Sequence, residues 1–387
     1  MTAALVCWAL PGLVVGTETA ERVRIGFVTT LSGPGASIGA DIRDGFQLAT
    51  RLSADRLGGL TVQLQVVDDA ANPETGKAAV ERMVRRDHVD VMTGVVFSNV
   101  LLAVLPTILE AETVYLSPNT GPQEYAGEKC NPYFYAVAWQ NEDMSFATGR
   151  FVADRGYRAV HAIAPNYAGG RETVNGFKRG FPGTVTETYT KLGQLDYAPE
   201  LSTLRAANSD ALFIFLPGGM GINFIKQFVA AGMSRSTQLM MTGISADEDS
   251  ITALGDTLLG AFNTSEWAHD LDNEANRRFV AAFRKAYGRL PTMYAAQGYD
   301  TARLLDRAIA DVKGRIEDKA ALRRALEAAR FQSVRGSFAF NSNHFPIQDI
   351  YLRVVSKTAD GRITNRTIGT VVSGLRDAYA GQCRMPR

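Results

Sequence analysis

A chain of 387 residues is too long for one ordinary core, which predicts two domains. Apolar content of 46% with 21% charged residues is that of a soluble globular protein. The formal net charge of +1, with no polybasic run, gives no reason to expect a nucleic-acid or membrane-surface partner.

The first twenty residues differ from the rest. Ala3 to Val15 is almost continuously apolar yet too short to span a bilayer, and Glu18-Thr19-Ala20 ends it in small-residue fashion. A cleaved secretory signal over 1–20 is the expectation; an N-terminal anchor or a cytosolic tail is the alternative. Cys7 would leave with the signal, and Cys130 and Cys383 would remain. In an exported chain that even pair reads as a disulfide, with two unpaired thiols as the alternative.

From Ile25 onward, short apolar strands alternate with helical patterns, the signature of parallel sheets with crossover helices. Ile25–Thr30 is a predicted strand, followed by a glycine-rich loop (Gly33, Pro34, Gly35, Gly39) and a helix with apolar residues at Ile42, Phe46, Ala49 and Leu52. Further strands are predicted at Thr61–Asp68, Val89–Val96 and Thr113–Ser117, with helices at Pro73–Arg86 and Val100–Ala111. The stretch from Asn119 to Asn141 reads as irregular. A second alternation follows, with strands at Ala159–Ala164, Val185–Tyr189, Ala211–Leu216 and Gln238–Thr242. Three helices come next (Asn273–Tyr287, Tyr294–Val312, Lys319–Ala329), then hairpin-like strands from Gly336 to Val371. Two α/β halves followed by helices and a β ending require the chain to cross between lobes more than once, near residues 140, 266 and 334.

The glycine loop superficially resembles the dinucleotide turn of short-chain dehydrogenases, but no proton-moving tyrosine and lysine accompany it in that unit. His88, His161, His269 and His344 are scattered, without metal-ligand spacing, and there is no Walker-type loop. Asp68-Asp69 reads as a solvated strand end. No enzyme, cofactor or metal is expected. What remains is a set of strand-end loops rich in small polar and aromatic residues. Ser98 or Asn99 could cap the helix behind Phe97, beside amides that suit a carboxylate. Ser117-Pro-Asn119-Thr-Gly121, Trp139-Gln-Asn141 and Asn166-Tyr167-Ala-Gly-Gly170 end neighbouring strands.

Ile25-Gly-Phe-Val-Thr-Thr-Leu-Ser-Gly-Pro34, Asp44-Gly-Phe-Gln-Leu-Ala49, Asp68-Asp-Ala-Ala-Asn-Pro73, Gly94-Val-Val-Phe-Ser98, Leu116-Ser-Pro118 and the Tyr167-x-Gly-Gly turn together resemble the type I periplasmic solute-binding proteins of ABC importers. The resemblance is to the branched-chain amino acid (Leu/Ile/Val) group. It implies an α/β fold of two Rossmann-like, doubly wound lobes joined by three crossovers. The expected division is 21–139 with 267–334 for lobe 1, 140–266 with 335–373 for lobe 2, and 374–387 as a tail. It also implies a periplasmic location and a small carboxylate ligand delivered to permease subunits in the inner membrane, with the protein a monomer.

By position, Ser98 matches the serine that holds the ligand carboxylate, Asn119 and Gly121 the neighbouring hydrogen-bonding loop, Ile38 a covering residue and Tyr167 a pocket tyrosine. Phe97, Trp139, Gly218 and Ile244 complete the expected ligand-binding set. Amino-acid binders of the group carry an acid after the strand matching Gln238–Thr242; here Thr242-Gly-Ile244-Ser follows, with no acid before Asp247. An α-ammonium buried without a counter-charge costs several kcal/mol. The stretch Ser117 to Asn141 also resembles the branch associated with aromatic acids of benzoate or cinnamate type. An aromatic acid is therefore expected, with binding of a branched-chain or other hydrophobic amino acid, or a sensory ligand-binding module, as the alternative.

Overall fold

The computed structural model describes residues 21–207 and 209–385, so the expected signal at 1–20 lies outside the described residues. The chain begins with β1 (Arg22–Thr29), whose last five residues are all buried, and α1 (Ala36–Leu52). Then come β2 (Arg56–Leu57), β3 (Leu60–Asp68), α2 (Pro73–Arg85), β4 (Val91–Thr93), α3 (Ser98–Glu110), β5 (Val114–Ser117), α4 (Gln123–Ala126) and β6 (Phe134–Ala136). The six strands form one sheet in the order β2-β3-β1-β4-β5-β6, parallel except for the β2–β3 pair.

The second half runs α5 (Asp143–Asp154), β7 (Ala159–Pro165), α6 (Ala168–Gly180), β8 (Thr184–Thr190), α7 (Ala198–Ala206), β9 (Ala211–Ile214), α8 (Gly219–Ala230), β10 (Gln238–Thr242), α9 (Glu248–Leu254) and β11 (Phe262–Ser265). The chain then returns to the first sheet with α10 (Glu274–Tyr287), α11 (Met293–Asp311) and α12 (Lys319–Glu327). It ends on the second with β12 (Ala339–Phe340), β13 (Pro346–Lys357) and β14 (Ile363–Leu375). The second sheet is ordered β12-β13-β11-β10-β9-β7-β8, with β14 antiparallel on β13. Two doubly wound α/β lobes result, joined by three passages of chain.

Glycines fix the return. A Cβ on Gly45 of α1 would sit 1.9 Å from the Ala295 carbonyl oxygen, and one on Gly298 of α11 would sit 2.0 Å from that of Ile42. Only hydrogen in both places lets these two helices touch backbone to backbone. Side-chain caps set several starts: Asn72 accepts from the amides of Glu74 and Thr75, Asn273 from Asn276, and Thr292 from Ala295. A disulfide joins Cys130, between α4 and β6, to Cys383 in the tail, with Cα atoms 5.5 Å apart.

Several expectations need correction. The strand expected over Val89–Val96 is only Val91–Thr93, because Gly94 turns the chain at φ +108°. The irregular stretch from Asn119 to Asn141 contains α4 and β6, and the unassigned residues after Thr242 contain α9 and β11. β6 is buried throughout, so it carries no alternation to betray it. Asp69 is not a solvated strand end: it is fully buried, accepting from the Thr30 hydroxyl at 2.6 Å and the Ala71 amide at 2.8 Å. Asp68 accepts from the Leu31 amide at 2.8 Å, so both acids hold the glycine loop after β1 in place.

Candidate functional site

The carboxyl ends of β1, β4 and β5 point toward those of β7, β9 and β10 across a cleft, the place where open α/β sheets take ligands. The turn after β4 leads straight into α3. Phe97 occupies the N-cap with an extended backbone and no side-chain oxygen, so the first amides of α3 have no side-chain cap. The sequence-based expectation that Ser98 or Asn99 caps this helix is corrected. Ser98, 2% exposed, instead turns its hydroxyl to Thr120 Oγ1 and accepts from Asn141 Nδ2 at 3.1 Å.

Asn141 ties the wall together. Its Oδ1 accepts from the Gly121 amide at 2.8 Å and from the Thr120 hydroxyl at 3.3 Å, while its Nδ2 also donates to Glu172 Oε2 at 2.7 Å. Asn119 donates its Nδ2 to the Val96 carbonyl, which holds the turns after β4 and β5 side by side. Aromatic groups close the cleft from both lobes: Phe97 and Tyr167 meet edge to face with centroids 6.0 Å apart. Burial pushes the Tyr167 phenol well above its ordinary range, so it stays a neutral donor.

Fifteen residues surround the space between the lobes. Seven of the nine expected from sequence are there: Ile38, Phe97, Ser98, Asn119, Trp139, Tyr167 and Ile244. Gly121 is not in the wall, because its amide is held by Asn141 and its Cα faces the Trp139 carbonyl, 2.0 Å from where a Cβ would sit. Gly218 lies on the seam beside it, with φ +58° and the Pro34 carbonyl of the other lobe 2.7 Å from a Cβ position. Sequence reasoning missed the other eight: Val96, Thr120, Asn141, Gly169, Thr173, Phe215, Pro217 and Tyr294. Thr120 lay inside a quoted motif; Tyr294 is on α11 and reaches the cleft only through tertiary packing, donating to the Ile244 carbonyl at 3.3 Å.

None of the fifteen is Asp, Glu, Lys, Arg or His. Asp247, the first acid after β10, is the N-cap of α9 and accepts from the Ser250 amide at 2.6 Å. Burial pushes its carboxyl up to about 7. With the lobes shut, the space left between these walls is small, about 30 Å³. A larger groove of about 720 Å³ borders Arg24, Asp90 and Glu112, but at the amino ends of the first sheet's strands, opposite the cleft.

Two enzyme-like spacings occur and neither makes a catalytic arrangement. Gly35-x-Ser37-x-Gly39 has nucleophile-elbow spacing, yet Ser37 is an exposed residue in the first turn of α1. Tyr125 and Lys129 are four residues apart, but Lys129 pairs with Glu124 and Tyr125 packs on Phe134. Of the histidines, His161 bonds Thr186 and Thr188, His269 bonds Thr364, and His344 bonds the Phe134 carbonyl.

Residues 22–362 match the family described as periplasmic binding protein. A Leu/Ile/Val-binding protein homolog 6 of Brucella melitensis is 27% identical, over 95% of this chain and 96% of that one. A solute-binding protein of an ABC transporter from R. palustris, solved in complex with benzoate, is 27% identical with a TM-score of 0.88, covering 94% of this chain and 99% of that one. One from Rhodopseudomonas palustris BisB5, in complex with 3,4-dihydroxybenzoic acid, is 27% identical with a TM-score of 0.85, covering 92% and 99%.

Proposed function

This chain belongs to the periplasmic binding protein family, and we propose that it captures a small aromatic carboxylate of benzoate type and delivers it to the permease of an ABC importer. It is a binding protein, not an enzyme. The observation that carries the ligand class is the absence of any formal charge among the fifteen wall residues. A carboxylate needs none: hydroxyl donors and the uncapped amides of α3 stabilise it by hydrogen bonds and helix dipole. An α-ammonium would meet no carboxylate there, at a cost of several kcal/mol.

In this reading Ser98 and the α3 amides hold the carboxylate, with Asn119 beside them. Phe97, Trp139 and Tyr167 present ring faces and edges to the aromatic body, and Ile38 and Ile244 cover it. The lobes are taken as 21–139 with 267–334 and 140–266 with 335–373. Ligand contacts to both favour the shut form of a monomeric protein exported by its N-terminal segment. A branched-chain amino acid is the second reading, favoured by the names of the Brucella relatives.

A thermal-shift panel of benzoate, 4-hydroxybenzoate, cinnamate, leucine, isoleucine and valine separates the two. The aromatic acids should raise the melting temperature. Stabilisation by leucine with none by any aromatic acid would overturn the assignment.

A further inference from the structure

Glu172 has no place in the wall described above, yet its carboxylate is hydrogen-bonded to the same Asn141 that bonds Ser98. It stands on α6 of the second lobe, partly buried. Its Oε2 accepts from the Asn141 amide group at 2.7 Å and from the backbone N–H of Gln123, on the first lobe, at 3.2 Å. Asn141 Nδ2 in turn donates to Ser98 Oγ. One carboxylate thus holds a backbone donor of the opposite lobe and, through a single amide, the hydroxyl proposed to receive the ligand.

We propose that Glu172 is a proton-taking positioning residue: it orients Asn141 and Ser98 across the closed cleft, and it binds a proton when the lobes shut on a carboxylate. This rests on the assignment of a carboxylate to Ser98. Two negative charges separated by three hydrogen bonds in a poorly solvated wall repel, and the cheapest relief is protonation of the one that burial already disfavours as an anion, Glu172. Protonated, Glu172 keeps an oxygen for the Asn141 and Gln123 donors, so the clasp survives the loss of charge.

Among the described residues, those that face Glu172 include no cation. From the first lobe Gln123 and Glu124 face Glu172, from the crossover Asn141 and Glu142, from its own helix Tyr167, and from the tail Tyr379. The neighbouring cations are engaged elsewhere, Arg179 with Glu142 and Lys129 with Glu124. Burial, followed more weakly by the charges of Glu142 and Glu124, already raises the Glu172 carboxyl to about 7 against the donors of Asn141 and Gln123. A second anion at Ser98 moves it higher.

The ligand-bound form holds the proton more tightly than the free form, so carboxylate affinity is greatest at acid pH and falls as pH rises from 6 to 9. A single coupled proton gives at most about tenfold per pH unit.

The test is calorimetry of benzoate binding at pH 6, 7, 8 and 9, in two buffers of different ionisation heat. Wild type should take up a fraction of a proton near neutrality and lose roughly tenfold in affinity across the series. Glu172→Gln should bind with no proton uptake and a flat pH profile. A flat profile and no uptake in the wild type would overturn the proposal. If neither benzoate, 4-hydroxybenzoate nor cinnamate binds at any pH, the ligand assignment fails. Glu172 is then judged on the free protein by small-angle scattering. Closure takes Glu172 further out of water and so favours its neutral form even without ligand; a radius that shrinks from pH 8 to 6 in wild type but not in Glu172→Gln upholds its part in closure, and identical profiles sink it.

Discussion

Replacing Ser98 by alanine isolates the proposed carboxylate anchor with little damage to the fold. Ser98 is 2% exposed, and its hydroxyl is bonded to Thr120 and Asn141. Neither partner is orphaned by its loss: Asn141 Nδ2 keeps Glu172, and the Thr120 hydroxyl keeps Asn141 Oδ1. The stability cost is therefore that of ordinary neutral hydrogen bonds, about 1 kcal/mol. Affinity suffers more, because a hydrogen bond to a charged group is worth about 1.5–3 kcal/mol, or roughly 10- to 150-fold in Kd. Calorimetry with benzoate at pH 7 reads the second quantity and a thermal melt the first. A Kd within twofold of wild type, at an unchanged melting temperature, would remove Ser98 from the site.

Asp143 is wholly buried, and burial pushes its carboxyl up to about 8, only partly opposed by the Gln140 amide. Its folded value lies above the unfolded value near 4, so its contribution to stability is complete below pH 4 and is lost as pH rises through 8. The wild-type melting temperature should drop between pH 6 and 9, and Asp143→Asn should flatten that drop; parallel profiles would count against it. Cys383→Ser opens a bridge between residues 253 apart in sequence and should cost about 2–5 kcal/mol in denaturant unfolding; an unchanged midpoint refutes this. Gly298→Ala places a methyl 2.0 Å from the Ile42 carbonyl and should cost about 1–3 kcal/mol or more. Gly369→Ala, with nothing within 4 Å, serves as its control, and equal melting temperatures for the two variants would disprove the tight α1–α11 contact.

The α/β alternation and most long elements were legible because the parallel strands are short apolar runs and helices such as α10 are strongly amphipathic. The helix at Pro73 announced itself through Asn72 and proline, which act within one turn. The elements that escaped, among them β6, α9 and β11, are short, and the pattern of these three belongs to the sheet they complete rather than to their own period. Ser98, Tyr167 and Trp139 could be named because strand ends are where such folds place ligands. Their chemistry could not be.

Sequence alone determined the α/β alternation and the strand-end loops, since hydrophobic period and turn residues are local properties of the chain; that those loops face one another across a cleft was what the family resemblance implied. The sequence left open what those side chains do on meeting. That Ser98 leaves α3 uncapped, that Gly121 gives its amide to Asn141, and that Glu172 closes on Gln123 all depend on hydrogen bonds spanning about 20 to 50 residues. Asp247 stood in the sequence as a possible partner for an amine; it instead caps α9 through a local bond to the Ser250 amide three residues on. Donors and acceptors are shared out by distance in space, and no local rule in the chain fixes which partner each obtains.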